Sequence, residues 1–322
     1  MEETPKINTE PDPKKNKYTL MIYGLGVIAI VIVGVIISWF GGEIFPHTNE
    51  AISVVGIEVE TTKIISPDAP VGIVFFDLDG GDSTLIISGG EVCLINGGRR
   101  ENAPKIINYI QALGYKRIKY LIATHVESDT IGGLGTIASN FYIDNVLLPA
   151  YAKTSDGGYL YRSFLDDLRS TGAEITNARA GFEFSLGEAV CDVVAPVLEG
   201  DGDAVNSTVI RLKYGKCSAI FLAAASAEEE SYLTDMGSDL TADILKIGNR
   251  GISTGNTEGF IQQLHPSVAV ISTAGSDTDY PSDSVIMALL EQDTAIYRTD
   301  YYGDITVRIY PEFSEILTGE NR

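Results

Sequence analysis

Histidine is scarce in this sequence, since the 322 residues include only three: His47, His125 and His265. Imidazole is the commonest nitrogen ligand of zinc, so this low count limits any zinc chemistry. The three cysteines do not compensate, because no two of them form a C-x-x-C pair. The G-x-x-x-x-G-K-[ST] loop that cradles nucleotide phosphates is absent too. These absences argue against a cysteine-ligated metal centre and against a P-loop NTPase.

Basic residues are also few, with 23 lysines and arginines against 44 aspartates and glutamates and a formal charge of −21. Phosphate recognition needs clustered basic side chains, so a general nucleic-acid binder is disfavoured. Residues 1–40 carry four lysines against four acidic residues, so the whole excess of negative charge lies beyond residue 40. Apolar residues are plentiful, because a hydrophobic content of 44% is enough to bury a core.

One apolar run dominates the N-terminal part of the chain. Residues 18–40 read YTLMIYGLGVIAIVIVGVIISWF and contain no charged side chain. As a helix this run is long enough to cross the roughly 30 Å hydrocarbon core of a bilayer. It exceeds a signal-peptide core of roughly 7–15 residues, and no A-x-A cleavage site follows it. The pattern predicts a transmembrane helix at 18–40, preceded by a disordered cytoplasmic tail at 1–17.

The charges beside this run predict its orientation. Three lysines precede it within residues 14–17, whereas no lysine or arginine follows it before Lys63. The positive-inside rule then places the N-terminus in the cytoplasm. We therefore expect a single-pass protein of the cytoplasmic membrane, with its C-terminal domain outside.

Cysteine pairing is limited by the odd number of thiols in the oxidising compartment that this orientation implies. Cys93 lies inside an apolar strand pattern and is interpreted as an ordinary core residue. Cys191 and Cys217 could be neighbours on adjacent strands and form a disulfide, or they could stay reduced. The sequence leaves both states open.

Beyond a linker and first strand at 41–68, short β-type runs alternate with helical patterns. Three strands separated by glycine-rich turns come first, and a helix at 103–113 and a buried strand at 118–124 follow them. Further strands are predicted at 189–195, 208–214, 218–223, 243–247, 268–272, 295–298 and 304–310, and further helices at 159–171, 227–236, 258–264 and 283–291. We expect an α/β (α+β) domain at 69–312, with two mixed sheets face to face and helices outside, before a tail at 313–322.

The stretch with the clearest chemical signal is LIATHVESDTIGGL at 121–134. A buried strand leads into His125, Glu127 and Asp129 and then into a Gly-Gly turn and a helix. Side chains at the carboxyl end of a strand commonly form active sites. Because the three residues alternate, an extended loop would direct them to the same side, where they could hold a divalent cation. Alternatively, they only cap the helix and bind loop amides.

Eight blocks in this order resemble the metallo-β-lactamase fold, and in particular the soluble domain of ComEC-type competence proteins. The blocks are FDLDGGD (76–82), LINGG (94–98), THVESDTIGGL (124–134), NSTVIRLKYG (206–215), FLAAAS (221–226), DILKIGNRG (243–251), AVIS (269–272) and IYRTDYYGDITV (296–307). The resemblance covers about residues 70–310 and implies an αββα sandwich. It also implies a hydrolase family that uses one or two metal ions, usually zinc, and a ComEC-type domain associated with DNA degradation.

Compared with the family motifs, this chain retains few of the metal ligands that the resemblance implies. In the motif H-x-H-x-D-H, only His125 and Asp129 match the family. The second and last histidines of this motif are replaced here. Further ligand positions of the family, in the L-I-D-x-G, T-G-D and H-H-G-S blocks, are replaced as well. The replacements are Asn96, Glu127, Thr130, Ala225, Asn249 and Arg250.

The leading hypothesis is therefore a degenerate pseudoenzyme with a binding, scaffolding or regulatory role and no expected cofactor. Besides the membrane, its partner would be another envelope protein or a small anionic ligand, and nucleic acid is not expected. Arg250 and Asn249, with Asn206, could hold a carboxylate or phosphate. Alternatively, Arg250 pairs with Asp129 or Glu127 and fills the space of the lost metals.

The second hypothesis is a divalent-metal-dependent hydrolase of phosphodiesters or esters with an altered, oxygen-rich site. His125, Glu127 and Asp129 would be the ligands, with Asp82 as a further candidate. Such a set suits Mg²⁺, Mn²⁺, Ca²⁺ or Zn²⁺.

Overall fold

The computed structural model describes residues 52–54, 57–59, 70–152, 158–199, 206–237 and 240–319. The predicted tail at 1–17, the predicted transmembrane helix at 18–40 and most of the linker lie outside these ranges. Within them, no helix has the length and apolar character needed to cross a bilayer. Two short strands, β1 (Ile52–Val54) and β2 (Ile57–Val59), form a separate antiparallel hairpin.

The larger sheet has eight strands. In spatial order they are β17 (Ser314–Thr318), β16 (Ile305–Ile309), β3 (Val71–Phe75), β4 (Thr84–Ser88), β5 (Glu91–Ile95), β6 (Arg117–Ile122), β7 (Tyr142–Pro149) and β8 (Glu174–Ala178). Neighbours from β17 to β5 are antiparallel, whereas those from β5 to β8 are parallel. The parallel half needs crossover connections, and helices supply them.

The second sheet has seven strands with the same mixed character. In spatial order they are β15 (Ala295–Arg298), β14 (Val268–Ile271), β13 (Ile244–Lys246), β12 (Cys217–Phe221), β11 (Val209–Tyr214), β10 (Ala189–Ala195) and β9 (Glu183–Leu186). Strands β15 to β12 are parallel, and strands β12 to β9 are antiparallel.

Eight helices accompany the sheets within the described residues. They are α1 (Ala103–Ala112), α2 (Ser128–Ile131), α3 (Leu134–Ala138), α4 (Gly158–Arg169), α5 (Ala227–Asp235), α6 (Glu258–Leu264), α7 (Asp283–Glu291) and α8 (Thr299–Tyr302). Helices α1–α4 pack on the larger sheet and α5–α7 on the smaller one. The order of layers is therefore αββα.

Three apolar layers hold this sandwich together, because both faces of each sheet are covered. Strand β3 illustrates the arrangement: Ile73 and Phe75 face the other sheet, whereas Val74 and Phe76 face the helices. This alternation follows from the two-residue period of a strand. A strand buried on both faces reads as an unbroken apolar run, as VGIVFF does.

The predicted two-sheet sandwich is confirmed, and most predicted elements lie within two residues of the observed ones. Residues 142–149 and 174–186 were not assigned in the sequence, yet they form β7, β8 and β9. The segment predicted as a tail at 313–322 contains β17, which pairs with β16 along its whole length. The edge strands β8, β9 and β17 are half-exposed and carry a weak apolar signal, which explains why they were missed, whereas β7 lies inside the larger sheet.

The suggested pairing of Cys191 with Cys217 does not fit the sheet. Cys191 on β10 is opposite Leu212 of β11, whereas Cys217 lies on β12, so a strand separates the two. Neighbouring strands are about 4.8 Å apart, which places these Cα atoms beyond the roughly 7 Å limit for a disulfide. Cys93, Cys191 and Cys217 are all buried free thiols.

Two neighbouring glutamates fix helix α5 in place. Glu230 is buried and accepts hydrogen bonds from the Thr257 amide at 2.8 Å and the Thr257 hydroxyl at 2.7 Å. Glu229 is buried too, and its Oε1 accepts from the Val197 amide at 3.0 Å. Burial raises the pKa of Glu229 from 4.5 to about 7.

Glu229 should make the stability of the domain depend on pH. Its folded pKa lies above its unfolded value, so the folded state binds more protons between pH 4.5 and about 7. Stability should therefore fall as pH rises through this window, by about 2–3 kcal/mol. Urea unfolding at pH 5 and pH 8 should show this loss in the wild type and a smaller one in Glu229→Gln. Glu101→Gln, at an exposed position on another element, is the control, and an unchanged loss in Glu229→Gln would contradict the assignment.

Candidate functional site

A small pocket lies where loops from both sheets meet. Its cavity volume is about 20 Å³, room for roughly one water-sized group. Most of the lining comes from the loop before β4, the β6–α2 loop and the segment after β13. The lining residues are Gly80, Asp82, His125, Asp129, Thr130, Ala223, Lys246, Asn249, Arg250 and Ser272.

His125 is fixed by hydrogen bonds behind the pocket. Its Nδ1 lies 2.9 Å from the Thr124 hydroxyl, which itself donates to Asn96 Oδ1 at 3.0 Å. Because a hydroxyl has only one proton, Nδ1–H of His125 must be the donor to Thr124. In the neutral ring this leaves Nε2 with a free lone pair on the pocket side. A buried histidine oriented in this way is suited to bind a proton or a metal ion.

Asn96 connects this network to Asp82. Its side-chain amide donates to Asp82 Oδ2 at 2.8 Å, while its Oδ1 accepts from the backbone amide of Thr124. Asn96 is fully buried with a φ of 60°, a left-handed conformation that asparagine tolerates better than most residues. At this position Asn96 therefore works as a cross-link between two loops.

A buried ion pair closes the floor of the pocket. Lys246 Nζ lies 2.9 Å from Asp82 Oδ1, and the lysine side chain is only 7% exposed. Burial alone would raise the pKa of Asp82, but the charge and hydrogen bond of Lys246 and the Asn96 amide outweigh it, so this pKa is lowered. Asp82 precedes β4 of one sheet and Lys246 ends β13 of the other, so the pair joins the two sheets.

His125, Glu127 and Asp129 come together as their spacing predicts. One ligand atom from each lies within 4.8 Å of the others. Asp129 is in the first turn of α2 rather than in an extended loop, and Glu127 precedes that helix. Neither acts as a cap, because the Glu127 side chain makes no capping hydrogen bond and Asp129 Oδ1 is buried without a partner. The capping interpretation is therefore not supported.

Arg250 does not pair with Asp129 or Glu127, contrary to one of the expectations. Its Nη1 lies 3.5 Å from Asp277 Oδ2, and its guanidinium stacks over the Tyr280 ring at 5.1 Å. The cause is the backbone, since Arg250 has a φ of 55° within a tight turn. This turn directs the side chain towards the 277–280 loop.

The other predicted residues take different places. Asn249 lines the pocket, and its backbone amide donates to Ala223 O at 2.7 Å. Asn206 is buried before β11 but is not among the lining residues. Thr130 lines the pocket, with its hydroxyl donating to Glu127 O at 2.8 Å.

These residues do not fit a binuclear zinc site. At the family's ligand positions, Thr130, Ala225, Asn249 and Arg250 offer neither imidazole nor carboxylate, and an arginine repels a cation. A single ion is compatible with His125, Glu127 and Asp129, whose donor set is one imidazole and two carboxylates.

Two features of the site were missed in the sequence. Lys246 is a lone basic residue inside the apolar strand DILKI, and a buried lysine requires a charged partner, which was the available signal. Residues 251–255 read GISTG, the spacing of a nucleophile elbow. Ser253, however, lies exposed in a turn, and no hydrogen bond joins it to a histidine in the described part of the chain.

Removal of the lysine tests the importance of the ion pair. Lys246→Met leaves the half-buried Asp82 carboxylate without its charged partner, which should destabilise the domain by about 2–4 kcal/mol. The double variant Lys246→Met/Asp82→Asn removes both charges and should recover part of this loss in urea unfolding. The single variant Asp82→Asn completes the cycle, and losses of the two single variants that add up to the loss of the double variant would show that the two side chains are not coupled.

Similar proteins were found by sequence. The chain is 27% identical over 208 residues to ComE operon protein 3 of Bacillus subtilis, covering 63% of this chain and 26% of that protein. It is 25% identical over 250 residues to Recombination protein 2 of Haemophilus influenzae, covering 74% of this chain and 29% of that protein. The chain thus spans less than a third of the length of either relative. No protein-family model matches it.

Solved structures also resemble the described part of the chain. CmlA, a diiron β-hydroxylase from Streptomyces venezuelae, superposes with a TM-score of 0.51 at 15% identity, covering 76% of this chain and 55% of CmlA. The metallo-β-lactamase fold protein YhfI from Bacillus subtilis gives 0.49 at 11% identity, covering 77% of this chain and all of YhfI. The two mixed sheets between helices agree with the αββα sandwich that the resemblance implied, and the folded part of this chain is similar to parts of ComE operon protein 3 and Recombination protein 2.

Proposed function

We propose that this domain is a degenerate member of its fold family that binds rather than hydrolyses. In this proposal it is held outside the cytoplasmic membrane by a helix at 18–40. It serves a scaffolding or regulatory role towards another envelope protein or a small anionic ligand. Its acidic surface favours solubility and opposes non-specific binding to anionic lipid or DNA.

The observation that carries the proposal is that two basic residues line the pocket, whereas its lining offers a single imidazole. Lys246 is paired with Asp82, and Arg250 is paired with Asp277. A binuclear centre activates water through the combined charge of two metals held by several imidazoles. A fixed ammonium and a guanidinium supply positive charge here but cannot bind and ionise water in that manner. The three apolar layers are closely buried and lie outside the pocket.

Elemental analysis with a hydrolysis assay tests this proposal on the full chain purified in detergent. We expect substoichiometric zinc after loading and dialysis, because the second-metal ligands are missing. We also expect no turnover of bis-p-nitrophenyl phosphate or p-nitrophenyl acetate above that of Asp129→Ala. Stoichiometric zinc together with hydrolysis that disappears in Asp129→Ala would overturn the proposal.

A second function, a hydrolase with a single divalent cation, is favoured by a different observation. Glu127 and Asp129 place two carboxylates beside His125, no lysine or arginine pairs with either among the described pocket residues, and Asp129 Oδ1 is buried without a partner. A divalent cation would balance both charges and satisfy that oxygen. When bound, it would polarise an ester or phosphoryl oxygen. His125 Nε2 and the two carboxylates would hold the ion, and Thr124 would orient the imidazole.

Thermal unfolding with added cations tests this second function without any activity measurement. Mg²⁺, Mn²⁺, Ca²⁺ or Zn²⁺ should raise the melting temperature of the wild type, because ligands that bind only the folded state stabilise it. The shift should vanish in Asp129→Ala and Glu127→Ala. Glu101→Ala removes an exposed carboxylate outside the pocket and should keep the full shift. No shift with any of the four ions in the wild type would exclude this site.

A further inference from the structure

The two sheets meet closely at one corner, near the turns that join β4 to β5 and β9 to β10. A Cβ atom placed on Gly89 would lie 2.9 Å from Gly187 Cα. Glu91 Oε2 also accepts a hydrogen bond from the Gly187 amide at 2.6 Å. Cα atoms of β5 and β9 come within 8 Å of each other, whereas stacked sheets usually lie about 10 Å apart. This corner is therefore narrower than an ordinary sandwich.

One cysteine of each sheet lies in this narrow corner. Cys93 is four residues beyond Gly89 along β5, and Cys191 is four residues beyond Gly187 along β10. Both are 1% exposed and belong to the apolar layer between the sheets. The two glycines are in contact, and each cysteine is four residues beyond its glycine. Cys93 and Cys191 therefore lie at about the same distance from the turns at this corner.

An aromatic contact shows that the neighbours of the two cysteines lie opposite each other. Cys93 is in register with Tyr120 on β6, and Cys191 is in register with Phe184 on β9. Residues in register on adjacent strands point to the same face. The rings of Tyr120 and Phe184 meet across the sandwich with centroids 4.4 Å apart. Cys93 is therefore beside Tyr120 and Cys191 is beside Phe184, and these two rings are in contact across the sandwich.

We propose that Cys93 and Cys191 form a redox pair that can be oxidised to a disulfide joining the two sheets. Cys217 is the unpaired thiol of the three. This differs from the Cys191–Cys217 pairing that the sequence left open, and it gives Cys93 a role beyond core packing. The proposal concerns the sandwich alone and does not depend on the function of the pocket.

The chemistry is thiol–disulfide exchange with a small disulfide such as oxidised glutathione. One thiolate attacks the small disulfide, forms a mixed disulfide and releases one glutathione thiol. The second thiolate then displaces the other glutathione, so one protein disulfide and two glutathione thiols result. Two electrons pass from the cysteine pair to the small disulfide, and the protons of the cysteines go to the released thiols or to solvent.

This exchange needs a transient opening of the corner. Burial, and to a lesser extent the neighbouring Cys191, raise the pKa of Cys93 well above its ordinary value, and burial raises the pKa of Cys191 to about 12. Thiols of this kind react slowly in the closed sandwich. The two cysteines therefore react only when the corner opens, during folding or in subdenaturing urea, and the same opening allows dithiothreitol to reduce the bond.

Peptide mapping of the full chain in detergent tests the pair without any substitution. The protein is equilibrated with reduced and oxidised glutathione in subdenaturing urea, alkylated with iodoacetamide and digested without reduction. We expect one cross-linked peptide containing Cys93 and Cys191, and alkylation of Cys217. Complete alkylation of Cys93 and Cys191, or a link from either to Cys217, would overturn the proposal.

Three matched variants distinguish the disulfide from a general effect of oxidation. The bond would close a loop of about a hundred residues, so the oxidised wild type should melt about 5–10 °C above the sample treated with dithiothreitol. Cys93→Ala and Cys191→Ala should show no difference between oxidised and reduced samples, whereas Cys217→Ala should keep it. A difference that persists in Cys93→Ala would contradict the assignment. Oxidised and reduced samples of the same variant are compared, so the loss of stability caused by the substitution itself affects both samples equally.

Discussion

The buried ion pair of Asp82 and Lys246 is the interaction on which the site depends. A lysine inside a strand that is covered on both faces would be strongly unfavourable without a partner. Asp82 supplies that partner, and Asn96 holds the second oxygen of the carboxylate. Through Asn96 and Thr124 the same network determines the orientation of His125. The charge of Lys246 on the seven-stranded sheet thus helps to orient the His125 ring on a loop of the eight-stranded sheet.

This arrangement explains how the fold remains intact although the ligand set is reduced. The three apolar layers lie between and outside the sheets, and the pocket occupies only the rim where their loops meet. A substitution at the rim changes local charge and hydrogen bonding without creating a cavity in the core. Substitutions at the rim are therefore limited mainly by electrostatics, because each charged side chain introduced there needs an oppositely charged partner nearby.

Much of the fold could be predicted from the sequence, because buried strands and amphipathic helices have strong periodic patterns. The helices at 258–264 and 283–291 and the strand at 189–195 were located to the residue. The convergence of His125, Glu127 and Asp129 was expected too, although Asp129 reaches the site from the first turn of α2 and not from an extended loop. The partners of Arg250 and Lys246 could not be predicted, since they depend on how segments 27 and 164 residues apart approach each other. The narrow corner with Cys93 and Cys191 depends in the same way on the packing of two separate hairpins.

Strand β17 has a consequence for the solubility of the domain. Its neighbour β16 is apolar and buried at Ile305, Val307 and Ile309, with no measurable exposure at any of the three. Without β17, the backbone amides and carbonyls of β16 would form an open, hydrophobic edge of the kind that pairs with other chains. β17 covers this edge with half-exposed residues, including Glu315 beside Arg308. A fragment shortened at residue 312 would retain nearly all of the core and yet be prone to aggregate.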